Sequence, residues 1–280
     1  ETLAKYGPDA TRWYMITNAQ PWDNLRFNID IITEVQRKFF GTLFNTYSFF
    51  ALYANLDGFT FKEDDIPIID RPEIDRWIIS KLNSLIKAVN DAFEAYEPTK
   101  AGRLIQSFVI DELSNWYVRL CRRRFWKGDY TKDKIAAYQT LYTCLEKVAI
   151  LASPIAPFYS DALFCDLNQI TKKHDVESVH LTFFPELYEQ FIDLDLEQKM
   201  DIAQKISSLV LGLRKKEKIK VRQPLQKIMI PIINKQFEIQ ILNVKDLILS
   251  EVNVKELVLL KDDDSVFIKK TKPNFKTIGP

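Results

Sequence analysis

The sequence predicts a mainly α-helical fold followed by a small α+β domain at its C-terminal end. Glycine is scarce, with 7 among 280 residues, and such a composition favours helices over a sandwich or a barrel. Apolar residues recur every three or four positions over most of the first 218 residues, which is the period of an amphipathic helix. After residue 220 the chain becomes rich in β-branched residues, which are typical of strands.

The helical part begins with a turn, Tyr6-Gly7-Pro8-Asp9, and a predicted helix from Ala10 to Ala19 with Asp9 as its N-cap. After a break at Pro21-Trp22-Asp23, the apolar spacing predicts further helices over Thr33–Leu56, Ile74–Tyr96, Lys100–Trp126, Lys132–Leu151 and Phe158–Leu167. Long helices joined by short loops indicate a helical bundle.

The remainder of the chain is predicted to be irregular at first and mixed later. Residues 168–195 are predicted to form a loop with a short strand at Val179–Leu181, and an amphipathic helix that ends in a basic run covers Leu196 to about Lys218. Strands are predicted at Ile228–Ile233, Phe237–Leu242, Val252–Leu260 and Val266–Lys270. The chain starts at Glu1 rather than at Met and stops abruptly at Pro280, so we expect a piece of a longer protein.

Several classes of function lack their sequence signals. There is no Gly-rich phosphate loop, no nucleophile elbow and no recognisable carboxylate pair. The cysteines Cys121, Cys144 and Cys165 are far apart, and His174 and His180 have no partners at metal-ligand spacing, so we expect free thiols and no metal site. No apolar run is long enough to predict a membrane span, and there is no signal peptide. The net charge of +1 means that nucleic-acid binding would need a local basic patch.

The most distinctive segment is Asp111–Trp126. On a helical projection one stripe is apolar, and it contains Val109, Leu113, Tyr117 and Leu120. A second stripe, which we call the arginine row, contains Asn115, Arg119, Arg122, Arg123 and Trp126. Guanidinium groups bind phosphates or base edges, and an exposed indole stacks on a splayed base, so the row suits single-stranded RNA. The alternative is a solvated face paired with neighbouring acids, with Trp126 closing the core.

Other side chains carry weaker predictions. Arg124 falls near the apolar stripe and is expected to need a buried partner. A second basic cluster, Arg214–Arg222, follows a helix end, where its cations could cap the helix or bind an RNA backbone. Its candidate RNA-binding residues are Lys215, Lys216, Lys218 and Arg222. The phenylalanines expected in the core are Phe39, Phe40, Phe44, Phe49 and Phe50.

Several of these segments together resemble isoleucyl-tRNA synthetases over essentially the whole chain. The run Leu113–Arg119 followed by Arg122–Trp126 is similar to the signature of that family's anticodon-binding domain. The opening Lys5–Tyr14 resembles the segment after the family's KMSKS loop. Further similar segments are Pro21–Phe27, Leu151–Phe158, Glu177–Leu181, Val221–Leu225, Glu251–Lys255 and Lys272–Lys276.

The resemblance implies an organisation and a function. Residues 1–35 would be a stem-contact segment after the catalytic domain, 36–190 a class Ia anticodon-binding helical bundle, and 191–280 an incomplete α+β extension. The parent would be an isoleucine–tRNA ligase that uses ATP and Mg²⁺. This chain lacks the HIGH, KMSKS and editing regions, so it would be non-catalytic, and it would bind no cofactor of its own. Its partners would be tRNA(Ile) and the parent's catalytic and editing domains, in a cytoplasmic monomer without membrane contact.

Three alternatives stay open at this point. One is the tRNA-binding region of a synthetase of the same class for valine, leucine or methionine, of which the valine and leucine relatives share the bundle. Another is a helical protein-interaction scaffold, which predicts an exposed apolar patch in place of a basic and aromatic row. The third is an independent enzyme, which predicts clustered ionisable residues in a cleft.

Overall fold

The structure is a computed structural model that describes residues 1–232 and 234–260. Its contacts divide the chain into two compact units, Glu1–Glu197 and Gln198–Pro280. The first unit is helical and the second combines helices with two strands, so the predicted fold class is confirmed. The predicted borders after residues 35 and 190 stay predictions.

The chain begins with two short helices, α1 (Thr2–Tyr6) and α2 (Pro8–Asn18). The prediction of Asp9 as the N-cap is wrong, because Pro8 takes the first helical position and moves the start of α2 ahead of Asp9. The Asp9 carboxylate instead accepts a hydrogen bond from the backbone N–H of Tyr159 at 2.7 Å. It thereby satisfies an otherwise unbonded donor in the first turn of another helix.

The next helical run is continuous over three segments, α3 (Ile29–Val35), a π-helical stretch (Gln36–Phe40) and α4 (Gly41–Asp57). Asn28 caps its start by accepting from Asp30 N–H at 2.8 Å. Gly58, with φ of 71°, ends it in the left-handed conformation that glycine tolerates best.

The phenylalanines of this run divide between the core and the surface. Phe39 and Phe50 are buried, as predicted, while Phe40 and Phe49 are half-buried. The core prediction is wrong for Phe44, which is 55% exposed. It lies beside the exposed Asn45 on the outer side of α4.

Five helices complete the bundle: α5 (Glu73–Glu94), α6 (Pro98–Ser107), α7 (Arg119–Trp126), α8 (Lys132–Ala152) and α9 (Pro157–Thr171). A second π-helical stretch, Phe108–Val118, joins α6 to α7 without a break. α5 packs against α6, this π-helical stretch and α8, while α4 packs against the stretch and α8. The largest fully buried side chains include Trp13, Trp77, Trp116, Tyr117, Tyr138, Phe108 and Phe125.

Three short 3₁₀ turns lie in the loops, at Ile68–Asp70, Val179–Leu181 and Glu189–Phe191. The predicted strand at Val179–Leu181 is therefore wrong. The Asp161 carboxylate of α9 accepts from Ser178 Oγ and from Val179 N–H, at 2.6 and 2.9 Å. These bonds hold the loop in a turn against the bundle, where no strand partner is available.

The longest helix, α10 (Leu194–Lys216), begins in the first unit and continues into the second. Its start is fixed on α5, because Glu197 accepts hydrogen bonds from Ser80 and Ser84. Within the described residues no helix is both long and apolar enough to cross a membrane.

The second unit contains a parallel pair of strands, β1 (Leu225–Pro231) and β2 (Val254–Leu260), in which Leu225 lies opposite Val254. Parallel strands need a crossover connection, which here consists of α11 (Lys235–Asn243) and α12 (Lys245–Val252).

One of the predicted strands in this unit is wrong, since Phe237–Leu242 lies inside α11. The side chain of Asn234 caps this helix by accepting from Phe237 N–H at 2.8 Å. The predicted strand Val266–Lys270 and the similar segment Lys272–Lys276 lie outside the described residues.

Candidate nucleic-acid interface

All five members of the arginine row lie on the surface of the first unit. Asn115 belongs to the π-helical stretch, and the other four belong to α7. Trp126, at the end of α7, is 55% exposed, so it does not close the core. Arg122 and Arg123 form no ion pair with any carboxylate in the described part of the chain. The side chains of the row are therefore exposed to solvent.

Arg124 differs from its neighbours in the same triplet. Its guanidinium donates two parallel hydrogen bonds to the fully buried Asp75, at 2.7 and 2.8 Å, and its Nε donates to Asp133 at 2.9 Å. Tyr117 donates a further bond to Asp75 at 2.8 Å. Burial alone would lower the pKa of Arg124, but the bonds to Asp75 outweigh it and raise the pKa. The expected buried partner of Arg124 is confirmed.

This buried pair fixes the rotation of α7 about its axis. A bidentate guanidinium–carboxylate pair tolerates little rotation of either helix. Because Arg124 is held toward α5, its neighbours Arg122 and Arg123 are turned outward. Burial also raises the pKa of the adjacent Cys121 to about 12, so this thiol stays protonated and unreactive at neutral pH.

A cleft of about 220 Å³ lies beside the arginine row. Its residues come from α4 and from the π-helical stretch with α7: Asn45, Thr46, Phe49, Ser114, Asn115, Val118, Arg119 and Arg122. Pockets that enclose drug-sized ligands measure about 300–1,000 Å³, so this cleft suits one planar ring system. The guanidinium of Arg122 lies 5.9 Å from the ring centre of Phe49, and that of Arg119 lies 5.4 Å from the ring centre of Trp116. Aromatic rings, amides and guanidiniums together can hold a nucleobase by stacking and by hydrogen bonds.

Sequence reasoning missed the half of this cleft that α4 contributes. Asn45 and Thr46 carried no signal, and Phe49 was predicted to be core, whereas it is half-buried and lines the cleft. Periodicity reports only which face of a helix is apolar, and the pairing of α4 with α7 is a tertiary fact. The apolar spacing of α4 therefore could not identify these residues.

A comparison with known protein families identifies the family to which this region belongs. The model for the anticodon-binding domain of tRNA ligases matches residues 75–229, which is more than half of the chain. This chain belongs to that family. The match includes the arginine row, its buried support at Asp75 and Arg124, and the second basic cluster.

Curated relatives of high similarity to this chain are much longer proteins. This chain is 66% identical over 279 residues to the isoleucine–tRNA ligase of Cytophaga hutchinsonii and 59% identical to that of Bacteroides thetaiotaomicron. Each alignment covers all of this chain but only 25% and 24% of the relative, so the chain spans about a quarter of their length. A solved ternary complex of Agrobacterium radiobacter K84 LeuRS with tRNA and LeuAMS is similar over 69% of this chain and 21% of its own, with a TM-score of 0.47 and 16% identity.

The second basic cluster of this anticodon-binding domain lies at the end of α10. Its candidate residues Lys215, Lys216, Lys218 and Arg222 are all exposed. Arg214 is only 2% exposed and donates to the carbonyls of Lys220, Gln223 and Asn253, which lie beyond the end of α10, so its guanidinium holds the following chain and does not cap the helix. The RNA contacts of the other four stay predictions.

No metal-binding cluster of His, Cys, Asp or Glu occurs within residues 1–232 and 234–260. Cys121 and Cys144 are buried and Cys165 is half-buried, all as free thiols. His174 is used structurally, since its Nε2 lies 2.8 Å from the buried carboxylate of Glu146. The buried carboxylates of Glu146 and Asp75 are thus bonded to side chains of the bundle itself.

Proposed function

We propose that this chain binds the anticodon arm of an isoleucine tRNA as part of an isoleucine–tRNA ligase. The family match supports anticodon binding, and the names of the relatives support isoleucine as the amino acid. The observation that carries the proposal is the arginine row, which lies exposed beside a cleft of the size of one base. The parent would convert ATP, isoleucine and tRNA to isoleucyl-tRNA, AMP and diphosphate.

The division of labour follows from the geometry of the row. Arg122 and Arg123, which have no acidic partner among the described residues, would bind phosphates of the anticodon loop. Trp126 presents its indole to solvent and would stack on an unpaired base. Phosphate contacts position the RNA, and base contacts provide sequence discrimination.

The cleft would receive one unstacked anticodon base. Its rims carry the amides of Asn45 and Asn115, which can donate to and accept from a base edge, while the ring of Phe49 offers a stacking surface. Arg119 borders the same cleft and would contact the base or its phosphate. Recognition would then involve α4 as well as the signature segment, which contains Asn115 and α7.

Other parts of the proposal concern the parent protein. The ATP and Mg²⁺ chemistry would reside in regions outside this chain, so the chain itself would bind tRNA without a cofactor. We also propose that the parent is a monomer in the cytoplasm. A valyl- or leucyl-type ligase is the alternative, and aminoacylation by the full-length parent with each amino acid distinguishes them.

The decisive experiment measures binding of a labelled isoleucine tRNA transcript and of the same transcript with its anticodon replaced. We expect the double variant Arg119→Ala/Arg122→Ala to bind the first transcript roughly 10- to 100-fold more weakly, because two charged RNA contacts are lost. Thermal stability should stay unchanged, since both side chains are exposed.

The matched control is Lys62→Ala/Lys87→Ala, which removes two positive charges from exposed side chains of the same unit. It should change binding by less than about threefold, since surface charges act weakly at a distance in salt. Equal losses in both double variants, or unchanged binding by the Arg119 and Arg122 variant with normal stability, would contradict the proposed interface.

A further inference from the structure

The last turn of α10 and the residues that follow it have a fixed shape and a high positive charge. We infer that residues 214–222 form a preorganised phosphate-binding loop, built by Arg214 and Asn253, that binds the RNA backbone without reading its sequence. Its contacting side chains are Lys218, Lys220 and Arg222. This inference rests on the proposed function, since it names a second contact with the same RNA.

The helix end is a complete left-handed cap with a lysine in the unfavourable position. Ile219 N–H donates to the carbonyl of Arg214 at 2.8 Å and Lys218 N–H donates to that of Lys215 at 3.2 Å. These are the two hydrogen bonds of a Schellman motif, whose left-handed residue is usually glycine. Here it is Lys218, with φ of 57°. A strained lysine at a site that glycine would suit better points to use of its side chain.

Arg214 organises the chain after this cap. Its side chain is 2% exposed, and it donates to the carbonyl oxygens of Lys220, Gln223 and Asn253 at 2.9–3.0 Å. The side-chain amide of Asn253 donates in turn to the carbonyl of Val221 at 2.9 Å. The loop is therefore held at Lys220 and Val221, and just beyond its end at Gln223, before any ligand arrives, which lowers the entropy cost of binding.

Arg124 and Arg214 are both held by several hydrogen bonds, but they differ in their electrostatic effect. Arg124 is paired with carboxylates, so its charge is neutralised within the bundle. Arg214 is held by neutral carbonyl groups, and it forms no ion pair with the carboxylates of residues 1–232 and 234–260. Its full charge therefore adds to the positive potential of the loop that it supports.

The loop has a much higher net positive charge than the chain as a whole. Residues 214–222 contain six basic residues and one acidic residue, a net charge of +5, while the whole chain has a net charge of +1. Lys218, Lys220 and Arg222 are exposed. Because the family match continues to residue 229, the loop belongs to the matched anticodon-binding region, which favours RNA over an acidic protein as its partner.

The test uses the full 280-residue chain and the two transcripts named above, over a range of salt concentrations. The triple variant Lys218→Gln/Lys220→Gln/Arg222→Gln should weaken binding of both transcripts by the same factor, about tenfold or more at 0.1 M salt. The slope of log K against log salt should decrease in magnitude by about 2 to 3, because each phosphate contact contributes roughly 0.7–0.9. The matched control, Lys205→Gln/Lys235→Gln/Lys255→Gln, removes three charges from exposed positions of the same unit and should leave the slope nearly unchanged.

Two single variants separate positioning from folding. Lys218→Gly removes a charge but relieves the positive φ, so it should weaken binding without lowering the melting temperature. Asn253→Gly keeps the left-handed backbone at φ of 50° and removes only the side-chain bond to Val221, so it should weaken binding with all three loop cations present.

The outcomes distinguish this loop from the arginine row. Loss of anticodon preference in the Arg119 and Arg122 variant, with unchanged salt dependence in the loop variant, would overturn the loop and leave the proposed function intact. Equal weakening of both transcripts by the loop variant alone supports the loop even if the row is unimportant. If polyglutamate competes as effectively as RNA of equal charge, the assignment to an RNA backbone is overturned. It is also overturned if the unaltered chain binds neither transcript.

Discussion

Among the three consecutive arginines of α7, Arg124 is held by the buried Asp75, whereas Arg122 and Arg123 are exposed. Substitutions at these positions should therefore have different effects on stability. We expect Arg124→Met to destabilise the first unit, because among residues 1–232 and 234–260 it leaves the fully buried carboxylate of Asp75 with the hydroxyl of Tyr117 as its one side-chain partner. Breaking a buried ion pair costs about 3–5 kcal/mol. The Arg124 side chain is itself 17% exposed, which places the expected loss near the lower limit, at about 3 kcal/mol.

The loss should appear as a shift of the melting temperature. For a unit of 197 residues, about 1 kcal/mol changes this temperature by roughly 2–4 °C, so Arg124→Met should lower it by roughly 6–12 °C. All five tryptophans of the chain, at positions 13, 22, 77, 116 and 126, belong to the first unit. Tryptophan fluorescence therefore reports the unfolding of this unit alone.

The matched control is the neighbouring substitution Arg123→Met, at an exposed residue with no acidic partner in the described chain. It should change stability by less than about 0.5 kcal/mol. The triple variant Asp75→Leu/Tyr117→Phe/Arg124→Met replaces the whole buried network with apolar groups, so it should recover most of the loss. If Arg124→Met and Arg123→Met melt within a degree of each other, the buried pair does not stabilise the bundle as argued.

Three further predictions follow from other sites. Gly102→Ala should cost about 1–3 kcal/mol in urea unfolding, since the added Cβ would lie 2.6 Å from the Thr17 methyl group; an unchanged midpoint contradicts this. Burial raises the pKa of Glu146, but the hydrogen bond from His174 and two nearby lysines outweigh it and hold the pKa at about 2. Its stabilising effect is thus present above pH 4.5 and is lost as the pH falls toward 2, so His174→Ala should move acid unfolding, followed by circular dichroism, to higher pH. Trp126→Leu should weaken binding of the isoleucine tRNA transcript by roughly tenfold, with an unchanged melting temperature, whereas Trp126→Phe should retain part of the stacking.

Much of the fold could be predicted because the long helices carry a strong periodic signal. For example, the helix predicted to end near Tyr96 ends at Glu94. The prediction is close because the apolar positions of this helix repeat regularly along its whole length. The signal fails where composition and period disagree. Phe237–Leu242 is short and apolar, and so it was predicted as a strand, but the Asn234 cap decides for a helix. A short apolar run does not by itself distinguish a helix from a strand.

The residues of the arginine row could be predicted from the sequence, but the direction in which the row faces could not, because of the π-helical stretch. At about 100° per residue, Val109 and Phe125 would lie roughly 160° apart around a regular helix. Both are fully buried, while Leu120, which the projection places on the apolar stripe with Val109, is only half-buried.

The i to i+5 hydrogen bonds of Phe108–Val118 take more residues per turn than an α-helix does, so they rotate the buried face between the two halves of the run. Sequence projection cannot detect this rotation, because it assumes a constant angle. Arg119, Arg122, Arg123 and Trp126 nevertheless share the regular helix α7, so their mutual spacing survives. The π-helical stretch and the Asp75–Arg124 pair then determine together which way that row faces, and any change in the length of the stretch would turn it away from the cleft that it borders.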